Sequence, residues 1–204
     1  MNKNAQIVKE ILDIYFPDPG IPLHHSNPYT LLVAVVLSAR STDAMVNRVT
    51  PKLFEKASTP EKMAHLSEAE IREIIKPCGL SPQKAKALRS LSQILVDDFK
   101  GKVPATFEEL ESLPGVGHKT ASVVMAQAFD IPAFPVDTHI FRCARRWGLS
   151  EGKTVKRVEN DLKKIYLPED WIRLHLQIIH FARKFCKSGR HFVANCPICS
   201  VLSK

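Results

Sequence analysis

The stretch Glu108-Glu-Leu-Glu-Ser-Leu-Pro-Gly-Val-Gly-His-Lys-Thr-Ala-Ser-Val-Val124 changes character twice. Its first part is a helix rich in Glu and Leu that ends near Leu113. Pro114-Gly115-Val116-Gly117 then makes a tight turn, and a second helix starts at about His118. Two glycines two apart permit positive φ and leave no side chain over the backbone N–H groups. Those N–H groups, with the start of the following helix, form an anion pocket matched to a DNA phosphate. Thr120 and Ala121 are small, so the two helices can cross closely. The alternative is an ordinary helix–helix turn with a glycine C-cap.

The same grammar extends in both directions. Asn27-Pro28, Thr59-Pro60 and Ser81-Pro82 each pair a capping residue with proline at the first helical position. Ser67-Glu-Ala-Glu70 and Thr106-Phe-Glu-Glu109 fit the capping box. Ile7, Val8, Ile11, Leu12 and Tyr15 form one helical stripe. Residues 28–39 are apolar nearly all round, which predicts a buried central helix. The β-branched Val33, Val35 and Val36 keep a buried strand as the alternative. Further helices are predicted at 43–56, 60–66, 68–76, 83–98, 107–112, 118–129, 138–147, 154–166 and 170–185. No alternating strand pair flanks an Asn-Gly or Asp-Gly turn, so the fold class is all-α.

Composition narrows the function. The 204 residues carry 29 Lys and Arg against 21 Asp and Glu, a formal charge of +8 that favours polyanionic partners. A hydrophobic fraction of 45% excludes a disordered chain. The longest apolar run, Leu31–Leu37, is too short for a membrane span. The N-terminus shows no signal-peptide core, and the cysteine count is odd. Both lead us to expect a reducing cytoplasm rather than a disulfide framework.

Two residues carry candidate chemistry. Lys119 falls in the first turn of the second hairpin helix, where the helix dipole disfavours an ammonium. Burial would disfavour it further, and both effects suit an amine nucleophile. The other reading is a lysine that pairs with phosphate. Asp137, in Phe134-Pro-Val-Asp-Thr-His-Ile-Phe-Arg142, follows an extended dipeptide and precedes a helical run, so it is a natural N-cap. A capping carboxylate is held in fixed geometry, which also suits proton transfer or a developing cation.

Together these segments resemble the helix-hairpin-helix DNA glycosylase superfamily and, within it, the endonuclease III family. Leu31 to Asp43 looks like the family's buried helix and following loop. Cys78-Gly-Leu80 with Lys84-Ala85 looks like its wedge loop. Leu113 to Val124 looks like its hairpin, and Val136 to Ile140 its aspartate segment. The resemblance implies two all-α domains flanking a DNA cleft. One is a helical barrel over residues 22–132. The other joins 1–21 to 133–204 and carries a cysteine loop at 185–204.

The implied activity is excision of oxidised pyrimidines from damaged double-stranded DNA, followed by β-elimination at the abasic site. Lys119 would be the Schiff-base nucleophile and Asp137 its partner. The implied DNA contacts are Arg40, Leu80, Gly115, Val116, Gly117, Thr120, His139, Lys187 and Arg190. Arg40 stands where the family usually has glutamine. Lys84, Lys86, Arg89, Arg142, Arg145 and Arg146 are further phosphate candidates. A monomer in the bacterial cytoplasm is expected. Two alternatives are a monofunctional glycosylase, which Lys119 argues against, and a non-catalytic hairpin module.

The family's iron–sulfur loop reads Cys-x6-Cys-x2-Cys-x5-Cys, whereas here Cys186, Cys196 and Cys199 are spaced x9 and x2. A [4Fe–4S] cluster normally takes four thiolates. Three readings stay open: a cluster with a non-cysteine fourth ligand such as His191 or a solvent-derived group, a zinc ion on three Cys and His191, or no metal. Cys78 and Cys143 read as small buried hydrophobes.

Overall fold

The computed structural model describes residues 2–203. Among these it holds twelve α-helices, two short 3-10 turns and no strand. No described helix is long and apolar enough to cross a membrane. The chain divides into two compact units, Ile21–Ile131 and Met1–Gly20 with Pro132–Lys204.

The first unit is built on α2 (Pro28–Ser38). Asn27 caps it by accepting the Thr30 N–H, and Thr30 returns a bond to the cap, with Pro28 in the first turn. That start outweighs the β-branched valines, so a helix forms and not a strand. Leu31, Leu32, Val33, Ala34 and Leu37 are fully buried. Burying each large aliphatic chain contributes about 1.5–3 kcal/mol. Around α2 lie α3 (Asp43–Lys56), α4 (Pro60–His65), α5 (Glu68–Ile75), α6 (Ser81–Phe99), α7 (Phe107–Ser112) and α8 (His118–Phe129). Tyr29 Oη meets Ser92 Oγ at 2.6 Å, joining α2 to α6 inside the core.

The second unit joins α1 (Lys3–Tyr15) to α9 (Thr138–Arg146), α10 (Val155–Ile165), α11 (Pro168–Lys184) and α12 (Pro197–Leu202). Trp147, Phe134, Phe181 and Leu12 fill its centre. The buried stripe of α1 is Ala5, Val8 and Leu12, while Tyr15 remains 45% exposed. Lys9 pairs with Asp170 at 2.6 Å, tying α1 to the first turn of α11.

Three local expectations need correction. Ser81 is not a cap: α6 starts from Leu80, whose backbone is left-handed, and Ser81 is the first helical residue. Thr106 caps α7, but Glu109 returns its bond to the Thr106 hydroxyl rather than to the backbone. The sequence reading also missed α12.

Candidate functional site

The hairpin closes through Val116 N–H donating to Leu113 O at 3.1 Å. Gly115 has φ +81°, and a Cβ there would lie 3.0 Å from Ala87 Cβ. Glycine is therefore required at Gly115 by conformation and by packing. Gly117 differs from expectation, because its φ of −100° is open to any residue and a Cβ would meet nothing within 4 Å. What Gly117 provides is absence. It stands at the N-cap of α8 with no side chain to cap the helix. The start of α8 thus has no side-chain cap and suits an anion.

Lys119 lies in that first turn and is exposed, so the burial expected around it is not found. Thr120 is half-buried beside it. Val116 is a buried side chain whose N–H is already committed to Leu113.

Two neighbouring loops carry Arg40 and Leu80. Both have positive φ, +54° and +50°, and both are exposed, Leu80 by 47%. Left-handed backbone at residues other than glycine costs roughly 1–2 kcal/mol. The other two such residues, Lys100 and Asp130, end α6 and α8 as C-caps, where this conformation is common. Arg40 holds it in the turn that follows α2, and Leu80 at the N-cap of α6.

Lys84 joins the stems of these loops. It is 5% exposed, and its Nζ donates to Leu37 O at 2.9 Å and Cys78 O at 2.8 Å. Burial lowers its pKa from the ordinary lysine value. Lys84 is therefore an internal brace, not a phosphate contact. Its place on the same face as Ala85, Leu88 and Leu91 was the available signal.

In the other unit, Asp137 caps α9, accepting the Ile140 N–H at 2.8 Å through Oδ1. Its segment is anchored by buried Phe134 and Val136 and by the buried His175, whose Nδ1 lies 2.9 Å from Pro135 O. His139 is half-buried, with Nδ1 3.2 Å from Arg142 Nη2.

Arg142 is largely committed within the protein, and Arg146, although exposed, gives one nitrogen to the cysteine loop. Arg142 Nη2 donates to Cys186 O at 2.8 Å. Arg146 Nη1 reaches Cys186 Sγ at 3.2 Å and Lys187 O at 3.1 Å. Both arginines brace the start of the cysteine loop. Lys187 and Arg190 are exposed on that loop, and the Arg190 guanidinium lies 5.3 Å from the Phe192 ring centre.

Cys186, His191, Cys196 and Cys199 each present one ligand atom, and all four atoms lie within 4.8 Å of one another. The three cysteines are buried and free of disulfides. A hydrogen bond with Cys143, together with Arg146, holds the Cys186 thiol down at about 5 against the effect of burial. Burial chiefly pushes Cys199 up to about 12. Cys143 is thus buried as expected and also acts on the titration of the Cys186 thiol. The group is chemically suited to a metal ion.

A family model described as HhH-GPD superfamily base excision DNA repair protein matches residues 33–168. Endonuclease III of Bacillus subtilis (strain 168) is 44% identical over 187 residues, spanning 91% of this chain and 85% of that protein. Endonuclease III of Escherichia coli (strain K12) is 40% identical over 182 residues, spanning 89% and 86%. A structure of a trapped Endonuclease III–DNA covalent intermediate superposes with a TM-score of 0.91 at 41% identity, covering 97% of this chain and 94% of the other.

Proposed function

The chain belongs to the HhH-GPD superfamily of base excision DNA repair proteins, and from that membership we propose how its own residues do the work. It is a DNA N-glycosylase and abasic-site lyase. Its substrate is an oxidised pyrimidine in duplex DNA. The damaged base leaves the stack first, at a cost of about a few kcal/mol. Arg40 and Leu80, exposed with left-handed backbone after α2 and before α6, fill the gap and wedge the opposite strand. The uncapped start of α8 with Gly115, Gly117 and Thr120 takes a backbone phosphate, and Lys187 and Arg190 take others.

Lys119 Nζ, as the free amine, attacks C1′ of the sugar. The glycosidic bond breaks, and its electron pair leaves with the base, which takes up a proton. Asp137 accepts a proton from the attacking nitrogen, the sugar ring opens, and a Schiff base forms. Loss of a C2′ proton then expels the 3′ phosphate, and water releases the lysine. His139, beside Arg142 on α9, orients the segment that carries Asp137. The placement of Lys119, exposed in the first turn of a helix that opens from an uncapped hairpin, carries this assignment.

The test separates the two carboxylate roles. Asp137→Asn keeps a good N-cap, so stability should shift by only a few tenths of a kcal/mol. Base release from a duplex holding one oxidised pyrimidine should fall by about 10²–10⁴-fold. Lys119→Ala should lose strand cleavage at an abasic site. Wild-type rates in either variant, with DNA binding intact, overturn the assignment.

A further inference from the structure

A four-iron cluster bonds each thiolate to a different iron, so its ligands stand apart by the width of the cube plus the outward Fe–S bonds. The group in this chain is too compact for that. With every pair of donors within 4.8 Å, the common centre lies at most about 3 Å from each donor. That leaves no room for an iron and a full Fe–S bond between centre and sulfur. A single tetrahedral ion is different. Zinc–sulfur bonds of about 2.3 Å separate two sulfurs by about 3.8 Å. Cys186 Sγ and Cys199 Sγ lie 4.0 Å apart.

The fourth donor is also present. Nε2 of His191 is buried and makes no hydrogen bond. A buried ring nitrogen without a partner is costly unless something else meets it. The charge is answered as well. Three thiolates and a neutral imidazole around a dication leave one negative charge, and the Arg146 guanidinium touches Cys186 Sγ at 3.2 Å. Such outer partners orient and stabilise metal ligands.

We propose that Cys186, His191, Cys196 and Cys199 form a tetrahedral site for one structural Zn²⁺, in place of a four-iron cluster. The ion closes the segment between Cys186 and Cys199 and ties α12, which packs on α1, to the chain just after α11. It thereby holds the exposed Lys187 and Arg190 in one arrangement. All four positions are taken by protein, which marks a structural site and not a catalytic one.

The experiment reads metal content, not activity, so it stands apart from the assignment of Lys119. The full chain is produced with both iron and zinc available and assayed for both metals, labile sulfide and visible absorption. The expected result is about one zinc per chain, no sulfide and no visible colour. Refilling the chelated protein with Co²⁺ should give the intense visible bands of a tetrahedral thiolate site.

His191→Ala should weaken zinc by more than about 100-fold, since even outer partners of a metal ligand are worth about 10–100-fold. His191→Cys should keep the ion, which decides the matter should His191→Ala fail to fold. Iron with labile sulfide, or a wild-type chain without stoichiometric metal, overturns the proposal. So does full zinc affinity in His191→Ala.

Discussion

Replacing Lys84 with methionine keeps the bulk of the side chain and removes the charge that joins two loop stems. In the folded protein the ammonium donates to Leu37 O and Cys78 O at 2.9 and 2.8 Å, at 5% exposure. Hydrogen bonds from a charged donor contribute about 1.5–3 kcal/mol each, so two are worth about 3–6. Relief from burying the ammonium returns part of this. The net loss should be about 2–4 kcal/mol. For a protein of this size, 1 kcal/mol moves Tm by roughly 2–4 °C, so Tm should drop by roughly 5–15 °C.

The assay is urea unfolding at neutral pH, with the midpoint falling and the slope unchanged. A second effect should follow from position. Leu37 lies just before the Arg40 loop and Cys78 just before Leu80, so both loops lose their common anchor. At a temperature where the variant is folded, excision of a damaged base should fall more than cleavage of an abasic site, which has no base to extrude. An unfolding midpoint equal to wild type would refute the reasoning, because the two carbonyls would then not need the ammonium.

Other expectations can be checked alongside. Gly115→Ala should cost about 2–4 kcal/mol, from the positive φ and the 3.0 Å approach to Ala87 Cβ, as read by the unfolding midpoint. Gly117→Ala should leave stability within about 0.5 kcal/mol, since a Cβ there meets nothing within 4 Å, yet weaken DNA binding if a phosphate sits at the α8 start as proposed. Burial raises the folded-state pKa of Tyr29 and Tyr166 above their ordinary 10.0. Their stabilisation is therefore complete below pH 10.0 and is lost as pH rises above it. The midpoint difference between wild type and Tyr29→Phe should shrink and then reverse above that pH, with other titrating groups, Lys84 among them, cancelling.

The helices were largely legible because their starts are written in single residues. Asn27, Thr59, Ser67, Thr106 and Asp137 each cap a helix that the pattern of apolar residues already required. Leu80 shows where that grammar stops. Ser81-Pro82 reads as a cap and first turn, but the backbone before it is left-handed, and no residue type announces a strained leucine. Lys84 was misread, and Arg142 and Arg146 only half read, for a related reason. A basic side chain looks like a phosphate contact until its partner is known, and the carbonyl and sulfur of Cys186 are about forty residues away in sequence. Only the fold brings those atoms together. His191 was legible as one possible fourth ligand among several, and the fold places its buried nitrogen among three thiols. The short α12 starts at Pro197 inside Cys196-Pro-Ile-Cys199, where the paired cysteines are a metal spacing and no capping side chain marks a helix start.

The central claim is that Lys119 is the nucleophile, and it is tested by trapping the intermediate. The full chain is mixed with duplex DNA holding one oxidised pyrimidine, in the presence of borohydride. The reduced adduct is then digested and its modified peptide identified. A covalent complex attached at Lys119, absent in Lys119→Ala although that variant still binds the duplex, is the predicted result. An adduct on another amine, or base release with no adduct at all, would contradict the account.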